Sequence, residues 1–271
     1  MIVFPNCKIN LGLKIINKRE DGYHNIDTIF YPVGLKDILE VVEAEDGDFS
    51  FTSGGIHIEG DSGKNLCVKA YHLMKDKYNI PAVKIYLQKT IPYGSGLGGG
   101  SSDATFTIQL INEIFNLKLN SNDLLDMANQ LGSDCAFFIH NKPVMACERG
   151  NVFKNIPLTL KGYYIWIIFP GIQISTAEAY SHVAFANSRN FYRNFNKMDI
   201  SEWRRYLSND FEAYAFNKYP VLNEIKGKLY SAGAEFALMS GSGSAIYGLF
   251  SKKPDLDQIR LDNYMWLGLL S

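Results

Sequence analysis

The eleven residues Pro92-Tyr-Gly-Ser-Gly-Leu-Gly-Gly-Gly-Ser-Ser102 contain five glycines and three serines. Glycine lets backbone N–H groups turn toward a ligand and approach it closely. Directly after this run, apolar residues recur at spacings of three and four, a pattern that predicts an amphipathic helix. The first N–H groups of a helix have no intrahelical partner and carry the positive end of its dipole. The segment therefore predicts a site for an anion, in particular the phosphates of a nucleotide.

Two common nucleotide-binding motifs do not fit this run. A Walker A loop ends in Gly-Lys-Ser/Thr, whereas Gly100 is followed by Ser101 and no lysine. A dinucleotide-binding fingerprint needs an acidic residue about 20 residues further on, and Glu113 comes too early and falls inside the predicted helix. A flexible Gly/Ser linker is the remaining alternative. The apolar strand before the run and the strong helix after it disfavour a linker.

The composition is that of an ordinary globular protein. The 271 residues are 46% hydrophobic, enough for one large domain or two closely packed ones, and the formal net charge is -1. A charge this close to zero provides no broad attraction for nucleic acid or for an anionic membrane surface. The longest apolar run, 163–169, is far shorter than the ~20 residues that span a bilayer. We expect a small-molecule substrate, no nucleic-acid or membrane partner, and a monomer or weak homodimer.

The cysteines and histidines indicate neither a zinc site nor a disulfide framework. The four cysteines form no CxxC pair, and the five histidines form no HExxH motif. A chain of this size needs no disulfide staples, and its first ten residues lack the basic flank and long apolar segment of a secretory signal. We therefore expect reduced thiols and a cytoplasmic location.

Apolar patterning along the chain predicts a mixture of strands and helices. Strands are predicted over 8–15, 83–87 and 163–169 and on both sides of the Gly/Ser turn in 235–250, and helices over 65–78, after the glycine run and over 121–131. Ser121 is the predicted N-cap of the last of these, and Pro220 is expected to interrupt a helical region that begins at Ile200. Because strands and helices do not alternate regularly, we expect an α+β fold, with domains over 1–155 and 156–271.

Two residues far from the glycine run are candidates for the groups that phosphoryl transfer requires to orient or deprotonate its acceptor. Asp134 follows Gly132-Ser133 and precedes an apolar segment, so it lies where a loop enters a buried element. The simpler alternative is that Asp134 only caps a helix. Lys8 shares a strand face with Asn10, and the simpler alternative for it is a solvated lysine. The residues alone leave both alternatives open.

Five segments, in order along the chain, resemble the motifs of the GHMP small-molecule kinases. They are Pro5-Asn-Cys-Lys-Ile-Asn-Leu-Gly-Leu13, Asp21-Gly-Tyr-His24, Pro92-Tyr-Gly-Ser-Gly-Leu-Gly-Gly-Gly-Ser-Ser-Asp-Ala104, Gly132-Ser-Asp134 and Ser240-Gly-Ser-Gly-Ser244. The segment 21–24 narrows the resemblance to the branch that phosphorylates a cytidine-diphosphate-linked methylerythritol in non-mevalonate isoprenoid synthesis. The resemblance implies a GHMP kinase-like two-domain α+β fold, in which the N-terminal domain is like domain 2 of ribosomal protein S5 and the C-terminal domain is ferredoxin-like.

The same resemblance implies ATP as the phosphoryl donor and Mg²⁺ as its metal ion. Asp134 would be the general base for the substrate hydroxyl, and Lys8 would hydrogen-bond the reacting groups. Ser101 or Ser102 would ligate Mg²⁺, which prefers oxygen ligands together with phosphate. The implied ATP-binding residues are Pro92, Tyr93, Gly94, Ser95, Gly96, Leu97, Gly98, Gly99, Gly100, Ser101 and Ser102, with Asn65 and Leu66 near the base.

For the substrate, the resemblance implies cytidine recognition by Tyr23 and His24, because an aromatic face stacks on a pyrimidine and polar groups read its edge. The implied substrate-binding residues are Asn10, Tyr23, His24, Thr176, Tyr180, Gly241 and Ser242. Two local departures stand out: Cys7 replaces the usual small alanine, and the segment 146–151 lacks the Gly-x-Gly-Glu form, so no family contacts are expected from it.

Two alternative functions follow from the same motifs. The first is a GHMP kinase that acts on another alcohol, such as homoserine or mevalonate, and the pair Tyr23-His24 disfavours it because those substrates have no pyrimidine. The second is a non-catalytic nucleotide-binding module. Retention of both Lys8 and Asp134 disfavours the second alternative.

Overall fold

A computed structural model of the chain describes residues 1–57, 61–183, 197–259 and 263–271. In these ranges the strands are β1 (Ile2–Val3), β2 (Asn6–Lys18), β3 (His24–Lys36), β4 (Ile38–Glu43), β5 (Ser50–Gly55), β6 (Val83–Lys89), β7 (Val144–Cys147), β8 (Val152–Asn155), β9 (Tyr164–Phe169), β10 (Phe236–Met239), β11 (Ile246–Phe250) and β12 (Tyr264–Leu269). The α-helices are α1 (Leu66–Tyr78), α2 (Gly99–Ile114), α3 (Ser121–Leu131), α4 (Cys135–His140), α5 (Thr176–Ser181), α6 (Glu212–Lys218) and α7 (Pro220–Ser231), and short 3-10 helices are Ser62–Lys64, Ile200–Arg205 and Leu256–Gln258.

The strands form three four-stranded sheets, in the orders β1-β4-β6-β5, β2-β3-β7-β8 and β10-β11-β9-β12. Strands β4, β7, β9 and β11 each run antiparallel to both of their neighbours, whereas β5 runs parallel to β6. Sheets dominated by antiparallel pairs, with the helices outside a βαβ alternation, are typical of α+β proteins. The predicted fold class is therefore confirmed.

The described chain divides into two compact units, and each unit combines several segments. Unit 1 contains 1–7, 35–93 and 98–142, and unit 2 contains 8–34, 94–97 and 143–271. The glycine run therefore contributes its middle four residues to unit 2 and its two ends to unit 1. The domain boundary at 155 remains a prediction.

In unit 1, α1 and α2 pack against each other. Helix α1 follows the N-cap Asn65, whose side chain accepts a hydrogen bond from the Cys67 N–H at 2.9 Å. Helix α3 spans the predicted residues, but its N-cap is Asn120 and not Ser121. The Asn120 side chain accepts from the Asp123 N–H while the Asp123 carboxylate accepts from the Asn120 N–H, and this reciprocal capping box satisfies two donors at once.

In unit 2, an apolar cluster forms between the sheet that contains β9 and the helices α5, α6 and α7, with Trp166, Phe211 and Leu222 among its buried members. Helix α6 ends at Lys218, and Pro220 occupies the first turn of α7. Because proline has no N–H to donate, it is suited to the first position of a helix and ends the element before it. The predicted interruption is confirmed.

Strand β2 differs from the prediction in one respect that matters for the site. Its alternating pattern suggests one apolar and one solvated face, but Lys8 and Asn10 are 2% and 1% exposed, and Ile9 and Leu11 on the other face are fully buried. The interpretation of Lys8 as a solvated lysine is therefore wrong. A buried charge requires polar partners, and these partners are within unit 2.

All four cysteines lie in the described ranges, and none of them forms a disulfide. Within the described ranges, no helix combines the length and apolar character needed to cross a membrane.

Candidate active site

Lys8 is held in unit 2 by oxygen atoms on two different segments. Its Nζ donates to Asn10 Oδ1 at 2.6 Å and to the Gly96 carbonyl at 3.0 Å, and it lies 5.0 Å from the centroid of the Phe30 ring. Its backbone N–H also donates to the Leu97 carbonyl at 2.9 Å. Strand β2 is thus tied to the centre of the glycine run through both the main chain and the side chain of one lysine.

Asn10 is fixed from several sides, so its amide presents a defined orientation. Its Nδ2 donates to Thr28 Oγ1 at 2.8 Å, and the Thr28 hydroxyl donates in turn to the Gly12 carbonyl at 2.6 Å. The Asn10 N–H donates to Ser240 Oγ at 3.2 Å, and the Tyr247 hydroxyl donates to the Asn10 carbonyl at 2.8 Å. The predicted residues Lys8 and Asn10 are therefore brought together in one buried network.

The Gly/Ser turn at 240–245 packs directly on the middle of the glycine run. Ser240 Oγ donates to the Gly96 carbonyl at 3.0 Å, and the Ala245 N–H donates to the Ser95 carbonyl at 3.0 Å. Gly96 has φ +79°, and a Cβ added there would lie 2.0 Å from the Ser240 carbonyl oxygen. Only glycine fits this approach. A Cβ on Gly241 would lie 3.0 Å from the Gly96 carbonyl oxygen, so the two turns contact each other through their backbones.

The other end of the glycine run opens helix α2 in unit 1. Gly98 is the N-cap with φ +73°, and no side chain caps the helix. Because glycine has no side-chain acceptor, the cap residue itself does not occupy the N–H groups of the first turn, and their binding of an anion remains a prediction. Gly99 is required by packing, because a Cβ there would lie 2.8 Å from Ile91 Cγ2.

The two predicted Mg²⁺ ligands are in different surroundings. Ser101 is half-buried, whereas Ser102 is fully buried and its Oγ has no hydrogen-bond partner among the described residues. No cluster of three or more His, Cys, Asp or Glu side chains suited to a metal occurs in the described part of the chain. Serine hydroxyls together with phosphate oxygens are the ligand set that Mg²⁺ accepts in nucleotide sites, so these residues fit such an ion.

Asp134 occupies the N-cap position of the six-residue helix α4, but its side chain makes no capping hydrogen bond. The interpretation of Asp134 as a simple helix cap is therefore wrong. Asp134 belongs to unit 1 and Lys8 to unit 2, and their pairing remains a prediction. Asn65, by contrast, does cap α1, and Leu66 begins that helix and lies within 3.8 Å of the position of a Cβ on Gly100. Their contact with adenine also remains a prediction.

The predicted pyrimidine-binding residues lie in unit 2 and form two aromatic groups. Tyr23 lies directly before β3 and is 50% exposed. His24 stacks on Tyr180 of α5, with ring centroids 4.5 Å apart and planes 14° apart, and Tyr180 contacts Phe211 edge-on at 4.9 Å. Burial and the charge of Lys18 lower the pKa of His24. A neutral imidazole has one donor and one acceptor nitrogen, which suits recognition of a base edge.

Thr176 and Ser242 connect α5 to the Gly/Ser turn, because their hydroxyl oxygens are 3.2 Å apart. Three residues of the candidate site are not among those predicted from the sequence. Thr28 and Ser240 complete the Asn10 network, and Arg149 covers the ring of Tyr23. Ser240 lies inside a recognised motif, but nothing in the sequence around Arg149 marks it as a neighbour of Tyr23.

Comparisons with known proteins support the resemblance that the sequence motifs predict. Residues 65–142 match the model of the GHMP kinases N terminal domain, and residues 191–263 match that of the GHMP kinases C terminal domain. A relative from Parabacteroides distasonis, named 4-diphosphocytidyl-2-C-methyl-D-erythritol kinase, is 44% identical over 100% of both chains. One of the same name from Cytophaga hutchinsonii is 47% identical over 94% of both chains.

A solved structure points to the same group of enzymes. The crystal structure of a 4-(cytidine 5'-diphospho)-2C-methyl-D-erythritol kinase superposes with a TM-score of 0.76 at 31% identity, covering 92% of this chain and 90% of that one. The predicted resemblance is confirmed over nearly the whole chain. The chain belongs to the 4-diphosphocytidyl-2-C-methyl-D-erythritol kinase family of the GHMP kinases.

Proposed function

We propose that this kinase transfers the γ-phosphoryl group of ATP to the 2-hydroxyl of 4-diphosphocytidyl-2-C-methyl-D-erythritol, in the synthesis of non-mevalonate isoprenoid precursors. Relatives that carry this name match the chain at 44–48% identity. The observation that carries the proposal is the buried Lys8, which hydrogen-bonds both Asn10 on the proposed substrate side and Gly96 in the proposed phosphate loop. One cation thereby connects the sites of donor and acceptor.

In the proposed reaction, Asp134 accepts the proton of the substrate hydroxyl while the hydroxyl oxygen bonds to the γ-phosphorus. The bond between the γ-phosphorus and the oxygen that bridges to the β-phosphate breaks, and ADP leaves with that oxygen. No phosphoenzyme is formed. Lys8 counters the negative charge on the transferring group, an effect that is strong because Lys8 is shielded from water.

The proposed ATP site uses main-chain donors more than side chains. Residues 92–102 surround the phosphates, and the uncapped first turn of α2 directs N–H groups at them. Asn65 and Leu66 lie beside adenine. The hydroxyl of Ser101 or Ser102 would hold Mg²⁺ together with phosphate oxygens, and the ion would supply positive charge that neutralises the phosphates.

The proposed substrate site is centred on the aromatic residues of unit 2. Tyr23 stacks on the pyrimidine, His24 reads its edge, and Tyr180 forms a second aromatic wall. Asn10, Thr176, Gly241 and Ser242 contact the rest of the substrate. The contact between the turns at 96 and 241 supports this placement, because it makes Gly241 a neighbour of Asn10. A Cβ added to Gly241 would lie 3.5 Å from Asn10 Oδ1.

We further expect the enzyme to act in the cytoplasm as a monomer or weak homodimer, without nucleic-acid or membrane partners. The test of the activity is ADP release by the purified protein with four acceptors: the cytidine-linked methylerythritol, homoserine, mevalonate and galactose. Activity with the first acceptor alone supports the proposal. Activity only with one of the other three refutes it.

The role of Asp134 has its own test. Asp134→Asn should lower kcat by about 10²–10⁴-fold, the range typical for loss of a general base, while the affinity for ATP measured by calorimetry is retained. Asp126→Asn is the matched control, because Asp126 is an exposed aspartate on α3 of the same unit. If Asp134→Asn turns over at the rate of this control, Asp134 is not the base.

A further inference from the structure

Arg149 lies against the ring of Tyr23 in unit 2. The Cζ atom of its guanidinium is 3.6 Å from the ring centroid, which is the spacing of a stacked cation on an aromatic face. Arg149 belongs to the turn between β7 and β8, inside the segment 146–151 that departs from the family pattern. The chain therefore has a contact here that its family motifs do not predict.

The backbone of this turn fixes the position of Arg149. The Gly150 N–H donates to the Cys147 carbonyl at 3.0 Å, and the Ile26 N–H of β3 donates to the Glu148 carbonyl at 2.6 Å. Gly150 has φ +88°, and a Cβ there would lie 3.4 Å from Ile26 Cδ1. The turn is thus attached to β3 two residues after His24. The main chain that carries Arg149 is therefore held next to the start of β3, directly after Tyr23.

The contacts of the guanidinium point to the ring as its main partner. Arg149 Nε is buried and makes no hydrogen bond with any described residue. The charge of Arg149 also acts on the carboxylate of Asp21. Desolvation would raise the pKa of that carboxyl, but a hydrogen bond from the Tyr23 N–H and the charges of Arg19 and Arg149 lower it. Asp21 in turn holds the Tyr23 backbone at 3.1 Å.

Tyr23 is 50% exposed even with Arg149 stacked on its ring, so part of the ring surface remains open to a ligand. An exposed tyrosine that is free to rotate loses conformational entropy when a base stacks on it. A ring already held from behind loses less, and preorganisation of this kind increases affinity. A cation behind the ring also leaves the open face as the only surface on which a planar base can stack.

We propose that Arg149 is a positioning residue for pyrimidine recognition, holding one face of Tyr23 so that the opposite face receives the base of the substrate. This inference rests on the proposed function, since it assigns the base to Tyr23. It adds a residue that determines the affinity for the cytidine moiety without touching ATP or the reacting atoms.

The test compares Arg149→Met, which keeps the apolar stem and removes the cation, with Arg149→Lys and with Lys154→Met. Lys154 is an exposed cation on β8 of the same hairpin and is the matched control. Arg149→Met should raise the KM for the cytidine-linked substrate and the Kd for CDP by about 3- to 30-fold, the range of a cation–π contact. Its kcat, its KM for ATP and its melting temperature should stay those of Lys154→Met, and Arg149→Lys should fall in between.

A double-mutant cycle distinguishes positioning from a separate contact. In a Tyr23→Ala background, Arg149→Met should cause no further change in the Kd for CDP, because there is no ring left to hold. In a Tyr23→Phe background the full effect should persist. An unchanged KM in Arg149→Met, or an effect that remains complete without Tyr23, overturns the inference. A wild-type enzyme that is inactive with the cytidine-linked substrate instead refutes the proposed function.

Discussion

Replacement of Gly96 by alanine tests the contact between the glycine run and the turn at 240–245. The backbone of Gly96 has φ +79°, and the added methyl carbon would lie 2.0 Å from the Ser240 carbonyl oxygen and 3.1 Å from the Gly243 nitrogen. A left-handed conformation costs an L-residue about 1–2 kcal/mol. Forcing an extra methyl group into a packed site costs about 1–3 kcal/mol more. We expect Gly96→Ala to lower the free energy of unfolding by about 2–5 kcal/mol.

Gly94 provides the matched control two residues earlier. It also has a positive φ, +66°, but its added Cβ would meet only the Gln173 side chain, at an ordinary contact distance of 3.4 Å. Gly94→Ala should therefore lose only the conformational part, about 1–2 kcal/mol. Urea titration followed by circular dichroism measures both variants, and the KM for ATP should rise more in Gly96→Ala. Equal losses in the two variants would show that the close approach of Gly96 to Ser240 does not exist in solution.

Two further predictions concern buried polar groups. Burial raises the pKa of the Asp103 carboxyl to about 7, against the attraction of Lys89, whose Nζ donates to it at 2.7 Å. Because the folded state then holds a proton that an unfolded aspartate releases near pH 4, we expect the melting temperature to fall as the pH rises from 5 to 8. Asp103→Asn should flatten this dependence, and an equally steep slope in the variant would refute the assignment. The side chain of Asn209 donates to the Met239 and Gly241 carbonyls and accepts from the Phe211 N–H. Asn209→Ala should therefore lower the free energy of unfolding by about 2–4 kcal/mol in thermal unfolding, because these buried groups lose their partner. A loss below about 0.5 kcal/mol would mean that Asn209 does not hold the 240–245 turn.

Local signals made much of the fold predictable from the sequence. Glycine conformations, helix periodicity and the proline at 220 act over a few residues, and the elements that they predict are present at nearly the predicted bounds. The failures have a common physical cause. The alternation of apolar and polar residues in β2 shows only which residues share a face of that strand, so it allows Lys8 to be a surface residue. The burial of Lys8 depends on its contact with Gly96, which is far along the chain. The N-cap of α3 is Asn120 and not Ser121, because the Asp123 side chain hydrogen-bonds back to the Asn120 N–H and completes a capping box.

Within the candidate site, motif order located the residues, but only the structure gives their contacts. The hydroxyl of Ser240 accepts a hydrogen bond from the Asn10 N–H and donates one to the Gly96 carbonyl. In the sequence, nothing distinguishes Ser240 from Ser242 in the same turn. Arg149 was beyond prediction for a stronger reason. Its partner Tyr23 lies far earlier in the sequence, directly before β3, and the segment of Arg149 itself lacks the family form, so neither a local pattern nor the resemblance predicts the contact.

The attachment of the glycine run to the turn at 240–245 has a consequence for the newly made polypeptide. Two hydrogen bonds to this loop come from Ser240 and Ala245, about 150 residues later in the sequence, so a nascent chain that ends before residue 240 holds Gly96 and Leu97 through Lys8 but lacks the contacts that complete the loop. Loop closure over such a distance is slow, because chain entropy must be lost before the contacts form. During its synthesis the protein therefore passes through a long interval in which its helices can form but the completed loop cannot. A fragment that stops short of this turn should bind nucleotide weakly, even though it contains every residue of the glycine run.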